Sequence, residues 1–438
     1  MNVIEELREK YKNHEYMRQK LEDYVLHLPE QMKTLEEEYH KKQQKKQIIY
    51  EKREEFITSF FTRYTFYYIP QTEVYVEYTD QYTITNEDTI IHLICSLLDK
   101  SLLSSKAKLI STMLRRIKDN LLLQVSNIYT SKLVRNELPF TPDIASYVLT
   151  ILGDVLLGKS EFIYYIDVSY KPFLKFLHQS FCLLLHKSLD VFKHKYYDHT
   201  YEMCRVIPGK CKEYTNITPL NIIIASITYS TRYGSSDGFV RQKNINQVMI
   251  LKDNTPETLV THFLFDYTVQ GGTMSYKDVY FLWKSFLRSK YLPFVINQQN
   301  FKSILQQLGV CEGDVCKITT TMDTNLIKFK NFWETYMFPD EEYSYELQEI
   351  LHLFQKQEKT TLSLESMKEV ISMEYPLVMI ENSSILYYKC SLWNKHVDID
   401  MAMNICNEED AYSFYENYTK LHNKKCVSKD YFNKYIMA

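Results

Sequence analysis

"TPDIASYVLTILGDVLLGKSEFIYYID", residues 141–167, admits two incompatible readings. Its centre, "GDVLLGKS" (153–160), matches the spacing G-x-x-x-x-G-K-[ST] of a phosphate-binding loop, with Gly153, Gly158, Lys159 and Ser160 at the four required positions. A working phosphate loop follows a strand, curls small residues around the phosphates and opens a helix at the Lys-Ser pair, where the free amides meet the anion. Here the order is reversed. Val148, Ile151, Leu152 and Val155 recur at helical spacing, which puts Gly153 inside a helix and Gly158 near its C-terminal cap. The aromatic and β-branched run after Lys159 reads as a buried strand, and Leu156 and Leu157 would crowd a phosphate. The expectation is helix, cap, strand, with the loop spelling a coincidence and no cofactor bound.

Composition agrees with a packed, helix-rich chain. Its 438 residues suffice for two or three domains, and 45% hydrophobic with 14% aromatic residues exclude a disordered protein. Thirty-seven Tyr and 23 Phe against 9 Gly and 11 Pro favour packed helices and a few aromatic strands; the bias to Ile, Asn, Lys, Tyr and Phe suits an A/T-rich genome. A net charge of −3 removes any global attraction to nucleic acid or membrane, so an anionic partner needs a local basic patch. Nine cysteines without a C-x-x-C, several in apolar runs, read as reduced thiols of a cytosolic compartment. The charged N-terminus and the lack of a run of about eighteen apolar residues point to a soluble chain that is neither secreted nor membrane-bound.

Outward from the opening stretch, residues 1–60 are rich in helix formers, and "YHKKQQKK" (39–46) lacks an apolar stripe, as in a solvated coiled-coil arm. Val74, Val76 and Tyr78 alternate with Glu73, Tyr75 and Glu77 in a small hairpin, after which Asn86 caps a helix. "FLKFLHQSFCLLLHKSLDVF" reads as a buried helix with His178 and His186 on one face as core or boundary histidines. Asp198, His199, Glu202 and Cys204 lack helical ligand spacing and a second cluster, so no metal is expected there.

"TRYGSSDGFVRQK" (231–243) is the densest polar, glycine-bearing loop of a glycine-poor chain. Its bland reading is a capped turn. Its functional reading has Gly234 aim the amides of Ser235 and Ser236 at an anion, Asp237 fix Arg232, and Arg232, Arg241 and Lys243 meet phosphate. Residues 251–340 read as three helices and a short β wing, a winged-helix arrangement. In "NQQNFKSILQQLG", Phe301, Ile304, Leu305 and Leu308 turn inward; Gln299, Lys302 and Gln306 face outward and suit base edges, with Lys317 beside them on the wing. Winged helices that bind only protein present the same pattern. Helix, helix, strand pair then recurs, making 341–438 a second module and tail. The fold class expected is mainly α with small β elements (α+β): arm 1–60, body 61–250 with a hairpin and buried strand, and winged-helix-like modules.

"NTPETLVTHFLF" with "SYKDVYFLWKSFLRSKYLPFVINQQNFKSILQQLG" resembles the C-terminal module of poxvirus-type primase-helicases of nucleocytoplasmic large DNA viruses. "TEVYVEYTDQYTITNEDTIIH", "YYDHTYEMCR", "TYSTRYGSSDGFV" and "FWETYM" are similar to an uncharacterised family of giant-virus proteins, a likeness that spans most of the chain and brings no activity with it. "LTILGDVLLGKSEFIYYID" also resembles the helix and strand leading into the helicase nucleotide site. That resemblance implies a phosphate loop after the strand, where this chain has "VSYKPFLKFLHQ" without glycine, and hence a lost NTPase. The function expected is a non-enzymatic viral factor that binds nucleic acid (DNA or RNA) or replication, transcription or translation proteins, in the cytoplasmic viral factory or the virion. The alternatives are an NTPase using Lys159 and Ser160, and a structural or translation-associated scaffold.

Overall fold

In the computed structural model, which describes residues 3–197, 199–214, 217–406 and 410–437, the chain is mainly α with small sheets and divides into units 1–253 and 254–438. Helix α1 (Val3–Lys10) is tied to the start of α2 (Glu15–Arg63) by Arg8, which donates twice to Glu22 at 3.0 Å. Helix α2 is solvated for most of its 49 residues. Its last turns are not arm at all: Ile57 and Phe60 are buried, so the expected boundary at 60 lies inside a helix that ends in the body's core.

Strands β1 (Thr65–Ile69), β2 (Val74–Tyr78) and β3 (Tyr82–Thr85) form an antiparallel sheet in that order. One face sends Phe66 and Tyr75 into a small core with α2, α3 (Glu87–Leu97) and α4 (Lys106–Asp119); the other sends Ile69, Val76 and Tyr82 into a larger one. A sheet covered on both faces loses the half-exposed alternation read from the sequence, and Tyr75 and Val76 are both buried.

The larger core holds α5 (Ile128–Glu137), α6 (Pro142–Leu156), β4 (Ile163–Ile166), α7 (Lys171–Leu185), β5 (Phe192–Lys193), β6 (Cys204–Ile207), α8 (Pro219–Tyr233) and α9 (Ser236–Lys243). Strand β4 runs parallel to and between β5 and β6. Helix α6 is apolar around its circumference and almost wholly buried, the condition for a central helix. Helix α7 stops at Leu185, and His186 is its exposed left-handed cap (φ 51°); His178 accepts from the Leu189 amide at 3.3 Å, so the two histidines do not share a helix face.

The second unit repeats one plan. Helix α10 (Pro256–Tyr267), β7 (Thr268–Ser275), α11 (Tyr276–Ser289), α12 (Gln298–Gln307), β8 (Cys311–Glu312) and β9 (Val315–Thr320) close a sheet of order β7-β9-β8. Helix α13 (Asn325–Tyr336), β10 (Met337–Glu346), α14 (Leu347–Glu358), α15 (Leu364–Glu374), β11 (Ile380–Glu381) and β12 (Ser384–Cys390) follow the same succession and order, β10-β12-β11. Residue 340, the expected boundary, lies within β10, which pairs with β12; the second set begins at α13. Helices α16 (Lys395–Met403), α17 (Ala411–Leu421) and α18 (Lys429–Met437) complete the unit. Lys284 of α11 pairs with Glu374 of α15 at 2.9 Å, and Lys330 of α13 with Asp278 of α11 at 3.2 Å, so the two sets are braced together. Among the described residues, no helix is long and apolar enough to cross a membrane.

Candidate binding surfaces

The stretch that spells a phosphate loop forms a buried polar junction. Gly153 lies within α6, where a Cβ would sit 2.1 Å from the Ser226 carbonyl oxygen and 2.6 Å from Ser230 Cβ, both on α8. Glycine is there to let two helices touch. Gly158, at φ +67°, turns the chain out of the helix. Lys159 Nζ then donates to Ser230 Oγ at 3.1 Å and to the Gly234 carbonyl at 3.4 Å. Ser230 Oγ donates to Asp154 Oδ1 at 2.6 Å, and Asp154 Oδ2 accepts from the Ser236 amide at 2.6 Å. Burial pushes the Asp154 carboxyl above its ordinary range, against the hydrogen bonds from Ser230 and Ser236. Ser160 Oγ and Ser236 Oγ both bond the Tyr164 hydroxyl, at 2.9 and 2.8 Å; burial raises that phenol to about 12.

"TRYGSSDGF" is the other half of this junction, and the roles expected of it change. Asp237 holds Arg205, whose Nε and Nη2 donate to the two carboxylate oxygens at 2.9 Å each. Arg205 is 1% exposed and arises from β6; its Nη1 also donates to the Glu202 and Cys204 carbonyls, and its guanidinium lies over the Phe162 ring at 4.0 Å. Burial works to lower the guanidinium, but the hydrogen bonds and charge of Asp237 outweigh it and hold the group above its ordinary value. The expected Arg232–Asp237 pair is absent because a buried guanidinium has first claim on a carboxylate beside it. Arg232 is exposed instead, 5.4 Å from the Tyr233 ring centre. The Ser236 amide serves Asp154 and is not open to an anion, and Ser235 Oγ caps α9 by accepting from Gly238 N at 3.1 Å.

Away from that junction, α5, α6, α8 and α9 surround a depression of ≈ 170 Å³. Lys132, Arg135, Arg232 and Lys243 line it, with Asp143 and the Tyr229 ring. Arg241 does not; its Nε donates to the Asp237 carbonyl at 3.4 Å. Lys132 and Arg135 had a signal in the sequence, cations three residues apart on one helix, but nothing there tied α5 to α8.

On the second unit, Gln299 and Gln306 project from α12 and are exposed. Lys302, expected to accompany them to base edges, donates to Asp314 at 2.7 Å, and Lys317 pairs with Glu312 at 2.6 Å. Asp314 sits in the turn between β8 and β9, and Glu312 ends β8 just before it. Leu308 and Val315 flank this face and are about half exposed. Residues 254–323 contain six Lys/Arg and six Asp/Glu; residues 324–390 contain six and eleven.

Deeper in this unit, Lys395 pairs with Glu349 at 2.5 Å beneath the rings of Tyr431, Tyr345 and Trp393, and Lys425 has its Nζ buried without a hydrogen bond. Burial lowers the Lys425 amine to about 8, with a further push from Lys356. Of the residues weighed as metal ligands, Asp198 lies outside the described residues; among the described residues no three His, Cys, Asp or Glu side chains gather as a metal site. No protein-family model matches the chain, and no curated protein or solved structure matches it significantly.

Proposed function

We propose that this chain is a non-enzymatic binding factor of a large DNA virus, acting in replication or gene expression, and that the repeated sets of its second unit are tandem winged-helix modules that dock protein. The order helix, strand, helix, helix, hairpin supports the winged-helix assignment. The observation that carries the protein-docking reading is the internal pairing of Lys302 and Lys317. Duplex binding draws its affinity from cations that neutralise phosphates, and here the third helix and the hairpin each pair their cation with a carboxylate of the same hairpin. A face of amides and half-exposed aliphatics with balanced charge suits the core of a protein interface. The NTPase reading finds no support: Lys159 Nζ is engaged with Ser230 of α8, and the amides of Gly158 and Lys159 bond the Val155 and Asp154 carbonyls of their own helix end.

The test uses the full chain. Affinity capture from infected cells is compared between the native protein and Gln299→Arg/Gln306→Arg, with duplex DNA and a fluorescent ATP analogue titrated in parallel. The proposal expects a partner recovered by the native protein and lost by the variant, with no saturable ATP binding. Tighter duplex binding by native protein than by Lys302→Ala, or ATP binding abolished by Lys159→Ala, would overturn it.

A further inference from the structure

The depression on the first unit has the chemistry the second unit lacks. Lys132 and Arg135 reach it from α5, Arg232 from α8 and Lys243 from α9; none of the four is in an ion pair among the described residues, Arg135 donating only to the neutral amide oxygen of Asn136. One acid, Asp143, shares the lining. Asp143 stands in the first turn of α6, whose cap residue Thr141 makes no side-chain bond to that turn, so the positive end of a buried helix faces the same depression. Tyr229 and Tyr233 stack with centroids 6.0 Å apart, and Tyr233 is only partly covered. Four unpaired cations converging from three helices cost electrostatic repulsion, which an anion between them relieves.

We propose that this depression binds a phosphodiester of a nucleic acid strand laid across the body. Its ≈ 170 Å³ falls below the roughly 300 Å³ at which pockets begin to enclose a whole ligand, so it takes one phosphate and leaves sugar and base outside. Tyr233, the partly exposed member of the pair, offers ring surface to a neighbouring base, the combination by which single strands are held without sequence preference. Of the cations expected from the sequence to meet phosphate, Arg232 and Lys243 keep that role, joined by Lys132 and Arg135; the serines and Arg241 do not. The inference does not rest on the docking role of the second unit, and each can fail alone.

The experiment titrates full-length protein into a fluorescein-labelled 20-mer, single-stranded and duplex, by anisotropy across 50–300 mM salt. Four engaged cations give a log–log salt slope of about −2.8 for the single strand. Arg232→Gln/Lys243→Gln removes two exposed cations and should bring that slope to about −1.4, with roughly tenfold weaker binding in low salt. Lys171→Gln/Lys175→Gln, which removes two exposed cations of α7, should leave the slope unchanged. An equal loss in both variants, or no binding at 50 mM salt, would overturn the proposal. Inorganic phosphate and AMP added as competitors separate the sources: displacement only at high millimolar concentration supports a strand, and displacement at micromolar AMP would refute it in favour of a free nucleotide.

Discussion

Gly153→Ala separates a packing glycine from a phosphate-loop glycine. In a phosphate loop the first glycine borders solvent and ligand, and alanine there costs binding more than folding. Here the new Cβ would lie 2.1 Å from the Ser226 oxygen and 2.6 Å from Ser230 Cβ, while ordinary contact begins near 3.4 Å. The helices α6 and α8 must part by more than about 1 Å, a gap that forfeits a quarter to a half of the dispersion energy across it. Overpacking of this kind costs about 1–3 kcal/mol. Parting also strains the bond from Ser230 to buried Asp154, about 1–3 kcal/mol if it is lost, against about 1 kcal/mol regained because alanine favours a helix. The net is a destabilisation of about 1–5 kcal/mol, centred near 3, large beside a total of about 5–15. All three tryptophans, 283, 333 and 393, belong to the second unit, so their fluorescence follows that unit alone while far-ultraviolet circular dichroism follows both. In urea, with a slope near 2 kcal/mol/M, the first unit's midpoint should fall by about 1.5 M and the tryptophan transition should stay in place. A first-unit midpoint within about 0.3 M of the native protein's would refute the packing argument.

Two further outcomes follow from the pairings. Arg205→Met leaves Asp237 without its partner and should destabilise the first unit by about 3–5 kcal/mol, while Arg232→Ala should stay within about 0.5 kcal/mol; the reverse ranking in the same urea series would restore the Arg232–Asp237 pair. Lys425 titrates near 8 in the fold against an ordinary 10.5, so between those values the unfolded chain holds more protons and stability of the second unit rises with pH, the cost being fully present below 8. The span corresponds to about 3 kcal/mol, discounted to about 1–2 because the residue is only partly buried. Lys425→Met should raise the tryptophan midpoint at pH 7 and flatten its rise toward pH 10; an unchanged pH slope would show that the amine is solvated.

Local signals in the sequence were those that repeat or cap. The helix over 142–156 and the inward face of α12 follow from spacing, and the strand after 159 and Asn86 as a cap from residue type. Strand β7 was missed because "TVQGGTMS" is mostly exposed and carries two glycines, so neither alternation nor apolar content marks it; it exists because β9 pairs with it. The partner of Asp237 was missed for a different reason. Arg232 is five residues away and Arg205 is thirty-two, and only the parallel pairing of β6 with β4 brings the distant arginine to α9. An arginine in "CRVI", a fully buried strand, was the available clue, because a charge in such a run demands a partner.

The two sets of the second unit have the same succession of elements, yet their third helices cannot do the same work. Helix α15 places Glu374 against Lys284 and Ser372 against Arg288, so its C-terminal end is committed to α11 of the first set. Helix α12 makes no such commitment with its outer face, where Gln299 and Gln306 stand exposed. The acid content divides along the same line, eleven carboxylates in the second set against six in the first for equal numbers of cations. The second set therefore acts as a brace that holds α11 and, through it, the seat of α12, while its own charge repels phosphate. A docking face on α12 gains rigidity from this arrangement, because ordering a surface in advance lowers the entropy lost when a partner binds. Lys284→Ala, which alters no residue of α12, should for that reason weaken partner capture through a faster dissociation rate, and an unchanged rate would show that the two sets bind independently.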